Sequence, residues 1–148
     1  MNRRTILSVA AVLLTATKVL AATNEIYTGI VDGVAAGGYD AVSYLKDGGP
    51  KMGDAANSLD WKGAKWLFST AENLAAFKAN PEKYSPQYGG YCAFAVSKGS
   101  TAKGDPTIYT VVDGKTYFNL SKSVQTLWQK DVPGNISVAN ANWPKVLE

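Results

Sequence analysis

Apolar and polar positions alternate over two short stretches, 59–62 and 65–68, that flank Gly63-Ala64. Alternation with a period of two around a glycine turn predicts a β-hairpin. A helix is predicted directly after it, because Ser69 can cap the free amides while Glu72, three residues on, reaches back to complete a capping box. Leu74 and Phe77 then fall on one helical face, and Asn80-Pro81 ends the run, since proline cannot continue a helix. The same plan recurs downstream. Residues 108–112 and 115–120 flank Asp113-Gly114, a strong two-residue hairpin signal. Ser121 opens a helix that sets Val124, Leu127 and Trp128 on one face and stops before Pro133-Gly134. Strand, turn, strand, capped helix and proline thus occur twice. This predicts an internal pseudo-repeat of two ββα units sharing one small antiparallel sheet with packing helices, an α+β fold.

The other segments are patterned more weakly. Residues 22–38 read as a glycine-rich arm with a short strand near 26–30, and 42–45 as a short apolar strand closed by the turn Asp47-Gly48-Gly49-Pro50. A last helix is expected over 136–143, with Trp143 facing the core. Residues 1–21 stand apart. Asn2, Arg3 and Arg4 form a positive region, 6–14 an apolar stretch, and Val19-Leu20-Ala21 a small-residue cleavage site, the layout of a removable signal peptide. The stretch is too short and too polar to hold a membrane span, so no stable membrane insertion is expected once it is cleaved. Arg3-Arg4-Thr5-Ile6-Leu7 also has the form of a twin-arginine signal, and both that route and the general secretory route end in the periplasm or outside.

Removing those 21 residues from 148 leaves 127, the size of one domain spanning 22–148. Four tryptophans, eight tyrosines, four phenylalanines and a hydrophobic fraction of 46% supply its core. The formal charge of +3 belongs to the leader: Arg3, Arg4 and Lys18 are three of the 15 basic residues, and the other twelve balance 12 acidic ones. Those charges are scattered singly, with no basic stripe to neutralise phosphates, so nucleic acid is not an expected partner.

Two absences narrow the chemistry further. The chain has no histidine, which removes the usual general base near neutral pH and the commonest metal ligand. It has one cysteine, Cys92, so no disulfide can form within the chain. Asp40, Asp60, Asp105 and Asp113 all have turn or cap explanations, which leaves little case for a paired-carboxylate acid and base. Lys103-Gly104-Asp105-Pro106 lacks the glycine spacing and the following serine or threonine of a phosphate loop and reads as a turn.

Between the two units lies Tyr88-Gly89-Gly90-Tyr91-Cys92-Ala93-Phe94. The glycines allow a tight turn, and the apolar residues after them suit a short helix ending near Gly99. Cys92 would then sit in the first helical turn, where exposed amides favour a reactive thiolate. Buried packing is the competing reading, because free cysteine is among the residues most often buried. Tyr88 and Tyr91 could line a ligand pocket or simply pack their rings.

These segments add up to a family pattern. Gly38-Tyr39-Asp40-Ala41-Val42-Ser43-Tyr44, Trp66-Leu67-Phe68-Ser69, Asn80-Pro81-Glu82-Lys83-Tyr84, Tyr88-Gly89-Gly90-Tyr91-Cys92-Ala93, Lys103-Gly104-Asp105-Pro106 and Ala141-Asn142-Trp143-Pro144 together resemble exported bacterial YHS-domain proteins. The resemblance implies a YHS-like fold. Metal-binding relatives carry three cysteines at positions that correspond here to Ser43, Ser69 and Asn73, so the resemblance implies that their soft thiolate site is missing. It extends to a subgroup in which selenocysteine can occur, which suits redox or soft-metal use of Cys92.

Three functions follow as expectations. The first is a periplasmic binding or accessory module, not an enzyme, that holds a small ligand or a soft metal around Tyr88, Tyr91 and Cys92. Copper(I) is the candidate metal, with Met52 as a second sulfur ligand. The second is a thiol-dependent redox protein with Cys92 as nucleophile and a partner supplying the resolving thiol. The third is a non-catalytic structural or interaction domain that uses its aromatic residues for packing or for a protein partner.

Overall fold

The computed structural model describes residues 23–148, and the signal peptide expected over residues 1–21 lies outside them. The described residues form an α+β fold of two small antiparallel two-stranded sheets and six helices. The first unit runs through α1 (Ser43–Lys46), β1 (Asp54–Trp61), β2 (Ala64–Phe68), α2 (Ala71–Ala79) and α3 (Pro81–Tyr84). The second runs through α4 (Ala93–Ser97), β3 (Asp105–Val112), β4 (Lys115–Asn119), α5 (Lys122–Gln129) and α6 (Val132–Asn142). Each hairpin forms its own sheet, β1 with β2 and β3 with β4. The single shared sheet expected from the sequence is therefore corrected to two.

The pseudo-repeat extends further than the hairpins. Each unit opens on three consecutive left-handed residues, Ala36, Gly37 and Gly38 (φ 51, 59 and 86°) in the first and Tyr88, Gly89 and Gly90 (φ 56, 62 and 83°) in the second. The chain then turns extended, and the amide of Asp40 donates to Lys51 O (2.8 Å) as that of Cys92 does to Ala102 O (2.9 Å). Both hairpins bulge near the start, after Asp54 and after Asp105, and each of these carboxylates accepts from an amide two residues on. They turn at Lys62-Gly63 and Asp113-Gly114, with both central residues at positive φ, as a tight hairpin turn demands. In the first unit the turn thus falls one residue earlier than Gly63-Ala64.

Helix starts follow side-chain chemistry more than apolar spacing. Thr70 Oγ1 accepts from Asn73 N (3.1 Å) and caps α2. Ser69 is occupied elsewhere, which corrects the expected Ser69–Glu72 capping box. Ser121 caps α5 as expected. Asn80 and Asp131, with nearly identical φ and ψ, cap α3 and α6, so Pro81 and Pro133 stand in first turns, where a missing N–H costs nothing. Residues 42–45 are helical, not a strand, because the Asp40 carboxylate receives the amides of Val42 (2.8 Å) and Ser43 (3.3 Å) and so starts a turn of helix. No strand forms over 26–30 either.

The core is split as the chain is. Ile26, Val42, Trp66, Phe68 and Phe77 fill the first unit, while Tyr88, Tyr91, Val96, Tyr117, Trp128 and Ala139 fill the second. The Trp66–Phe77 contact (4.8 Å between ring centroids) has its counterpart in Tyr117–Trp128 (5.5 Å). Burying one such side chain stabilises the fold by about 1.5–3 kcal/mol. On α5 only Trp128 is buried, and Leu127 stays 44% exposed, so the face expected from the spacing is narrower than three residues. Tyr44, Phe118 and Ala36 join the units, with Tyr44 OH donating to Pro106 O (2.6 Å). Among the described residues no helix is long and apolar enough to cross a membrane.

Candidate functional site

The left-handed turn at Tyr88-Gly89-Gly90 positions the segment singled out by the sequence. A side chain at Gly89 would strike the carbonyl oxygen of Glu25, so only glycine lets the turn lie against residues 25–27, where Gly89 O also receives the amide of Tyr27 (2.9 Å). Tyr88 is buried, with its ring between Tyr117 (6.0 Å) and Trp143 (5.9 Å) and its hydroxyl donating to Asn140 Oδ1 (2.9 Å). Tyr91 is buried against Tyr27 (5.2 Å), and its hydroxyl donates to Asn24 O (2.7 Å). Burial raises the pKa of both phenols above the ordinary tyrosine value, with smaller contributions from Tyr117 and Tyr27 respectively.

Cys92 does not share a surface with them. It is the residue just before α4 and is only 1% exposed. Its sulfur lies 3.5 Å from Asn119 Oδ1, which also accepts the amide of Phe94 (3.3 Å). Met52 is 58% exposed in the first unit, where Tyr39 pairs with it. One sulfur beside one amide oxygen is not a donor set that suits copper(I). Among the described residues no group of three or more cysteine, aspartate or glutamate side chains gathers in a way that could hold a metal.

Ser43, Ser69 and Asn73 do meet, around a residue the sequence had assigned to a turn. Asp40 is fully buried. Its Oδ2 accepts from Ser69 Oγ (2.7 Å), Ser69 N (2.9 Å) and Asn73 Nδ2 (2.8 Å), while its Oδ1 takes the two amides that start α1. Asn73 Nδ2 also reaches Asp47 Oδ2 (3.1 Å), and Ser43 Oγ donates to Asp40 O (2.7 Å). Ser69 and Asn73 spend side-chain hydrogens on the Asp40 carboxylate and Ser43 gives its own to the Asp40 carbonyl, so the three form a hydrogen-bonded knot and do not fit a soft metal. The signal was present in the sequence: Gly-Gly-Tyr-Asp-Ala at 37–41 matches Gly-Gly-Tyr-Cys-Ala at 89–93, and Asp40 occupies in its unit the place of Cys92.

Two depressions flank the Gly-Gly turn. The larger, a cleft of about 450 Å³, is walled by Tyr88, Trp61 and Trp143, with Glu25, Lys62, Glu82, Gln87, Lys115 and Asn140 as its polar groups. A second, of about 320 Å³, is lined by Tyr27 and Tyr91 among others, and Cys92 lines neither. In the cleft Lys62 bridges Glu25 (2.8 Å) and Glu82 (3.1 Å) and lies 4.7 Å from the centre of the Trp61 ring. The bond from Glu25, with that from Glu82, raises the Lys62 pKa against the opposing effect of desolvation. None of these polar residues stood out in the sequence, because they come from five separate stretches of chain.

Comparison of the chain with protein-family models, with curated proteins and with solved structures returned no match.

Proposed function

We propose that this chain is an exported, YHS-like binding or accessory module that holds a small polar ligand in the cleft beside Tyr88. The observation that carries the reading is the cleft itself: aromatic walls and a few convergent charged and amide groups, in a volume suited to a small molecule. The tyrosine is held by Asn140 and by two aromatic neighbours, so this wall is formed before any ligand arrives.

The thiol readings draw less support. A nucleophile or a copper ligand has to meet its partner, and the Cys92 sulfur is enclosed by core. Its burial is what a structural role for cysteine expects, and the cleft is what favours binding over a purely structural domain.

Native mass spectrometry of protein from its own compartment is expected to retain a small organic ligand, and Gln87→Trp, which narrows the cleft, to lose it at unchanged Tm. Elemental analysis is expected to give the same copper content for the parent and Cys92→Ala. A copper content that disappears with Cys92→Ala, beside an organic ligand indifferent to Gln87→Trp, overturns the reading.

A further inference from the structure

Opposite charges line this cleft without cancelling. Glu25 and Glu82 each use Oε1 to hold Lys62, and among the described residues neither Oε2 has a partner, so the trio carries one net negative charge and two open acceptors. Lys115 lines the same cleft, yet among the described residues no carboxylate lies within ion-pair distance of it. Asn140 has its oxygen taken by Tyr88, so what it offers a ligand is a donor. The four charges of the lining sum to zero as a whole, with an acidic pole made of Glu25 and Glu82 and a basic pole made of Lys115, which no described carboxylate pairs.

The acidic pole already holds a cation. The Lys62 ammonium sits there on two carboxylates and one indole face, the combination that binds amines in general. Two further carboxylate oxygens belong to residues that line the same cleft, and they are the acceptors a second ammonium would use. The basic pole has the complementary vacancy of partners: a charged amine in need of an anion. A ligand with one charge would satisfy one pole and leave the other solvated, whereas a ligand with both satisfies the two at once.

We infer that the cleft takes a small zwitterion of the free amino acid class, its ammonium at Glu25 and Glu82 and its carboxylate at Lys115. This rests on the cleft being a ligand site at all. Aromatic walls place the side chain of such a ligand against Trp61 and Trp143.

Calorimetric titration of the full chain with L-phenylalanine, phenethylamine, 3-phenylpropanoate and glucose tests it, since the second and third probes each lack one charge. L-Phenylalanine is expected to bind about three- to fivefold tighter than the other three, the worth of one exposed ionic contact. Lys115→Gln is expected to abolish its advantage over phenethylamine, and Glu82→Gln its advantage over 3-phenylpropanoate, both at unchanged Tm. A singly charged probe or glucose binding as tightly as L-phenylalanine, or Lys115→Gln leaving all four affinities unchanged, overturns the zwitterion assignment and leaves the cleft a ligand site. No binding by any of the four, with indole signals of Trp61 and Trp143 unmoved in NMR spectra, removes both the assignment and the reading beneath it.

Discussion

At the scale of single residues, two equivalent positions have been filled by opposite chemistries. Asp40 carries a full set of five donors, whereas Cys92 has one amide oxygen beside it. Removing the Asp40 side chain takes a charged acceptor from a hydroxyl, a side-chain amide and three backbone amides, of which the Val42 amide and the Ser69 amide and hydroxyl have no other acceptor among the described residues. Hydrogen bonds to a charged group contribute about 1.5–3 kcal/mol each, so Asp40→Ala is expected to cost at least about 3 kcal/mol in urea unfolding. Cys92→Ala, which strands nothing charged, is expected to cost about 1 kcal/mol. Equal costs for the two would show that the knot around Asp40 contributes no more than packing. The sequence offered Asp40 only as a turn residue, because the donors that define its role come from 29 and 33 positions away.

Elements began and ended where short polar side chains and glycines dictated, and this was the most legible part of the chain. Both hairpins and the helices after them stand close to where alternation, turn residues and caps put them. The departures have a common physical cause. Ser69 was free to cap α2 by sequence, but Asp40 claims its hydroxyl, and the cap passes to Thr70. Residues 42–45 look like a strand by apolar content, yet the same carboxylate curls them into α1. Glycine positions can be ranked in the same way. Gly48→Ala adds a methyl in open space at φ +77° and is expected to cost only the backbone strain, about 1–2 kcal/mol. Gly89→Ala has φ +62° and in addition drives that methyl into the Glu25 carbonyl, so its cost is expected to be clearly larger. Thermal unfolding of the two variants side by side checks the order, and faster hydrogen exchange at Tyr27 in Gly89→Ala alone would locate the cause.

For the whole molecule, burial of phenols sets the alkaline limit of stability. Tyr44, Tyr88, Tyr91 and Tyr117 all have pKa values raised first of all by burial, because the folded state disfavours the phenolate. Below the ordinary tyrosine value of 10.0 the phenols are neutral in both states and that stability is fully present. As pH rises beyond it, the unfolded chain ionises first and the advantage is lost toward the raised folded values. Lys62 acts in the same direction, since its pKa is raised in the fold and its ion pairs weaken as it deprotonates, although a pair this exposed contributes little. Unfolding free energy is therefore expected to be flat through neutral pH and to fall above about pH 10, with a burst of tyrosinate absorbance that coincides with loss of the circular dichroism signal. Tyrosinate appearing to completion in the folded protein would contradict the packing described for these four rings.

What the chain determined by itself is local. Turn pairs, caps, alternation and a recurring Gly-Gly-Tyr are short-range rules, and they sufficed for an α+β fold built from a repeated unit. Tertiary structure decided the rest, for reasons of distance and competition. It separated the hairpins into two sheets, enclosed Cys92 while leaving Tyr88 on the wall of a cleft, and gathered Ser69 and Asn73 on a carboxylate far away in sequence. It also assembled the polar lining of that cleft from Glu25, Lys62, Glu82, Lys115 and Asn140. No local pattern marks such residues, because a charge on a surface becomes part of a site only through the groups that folding brings to face it.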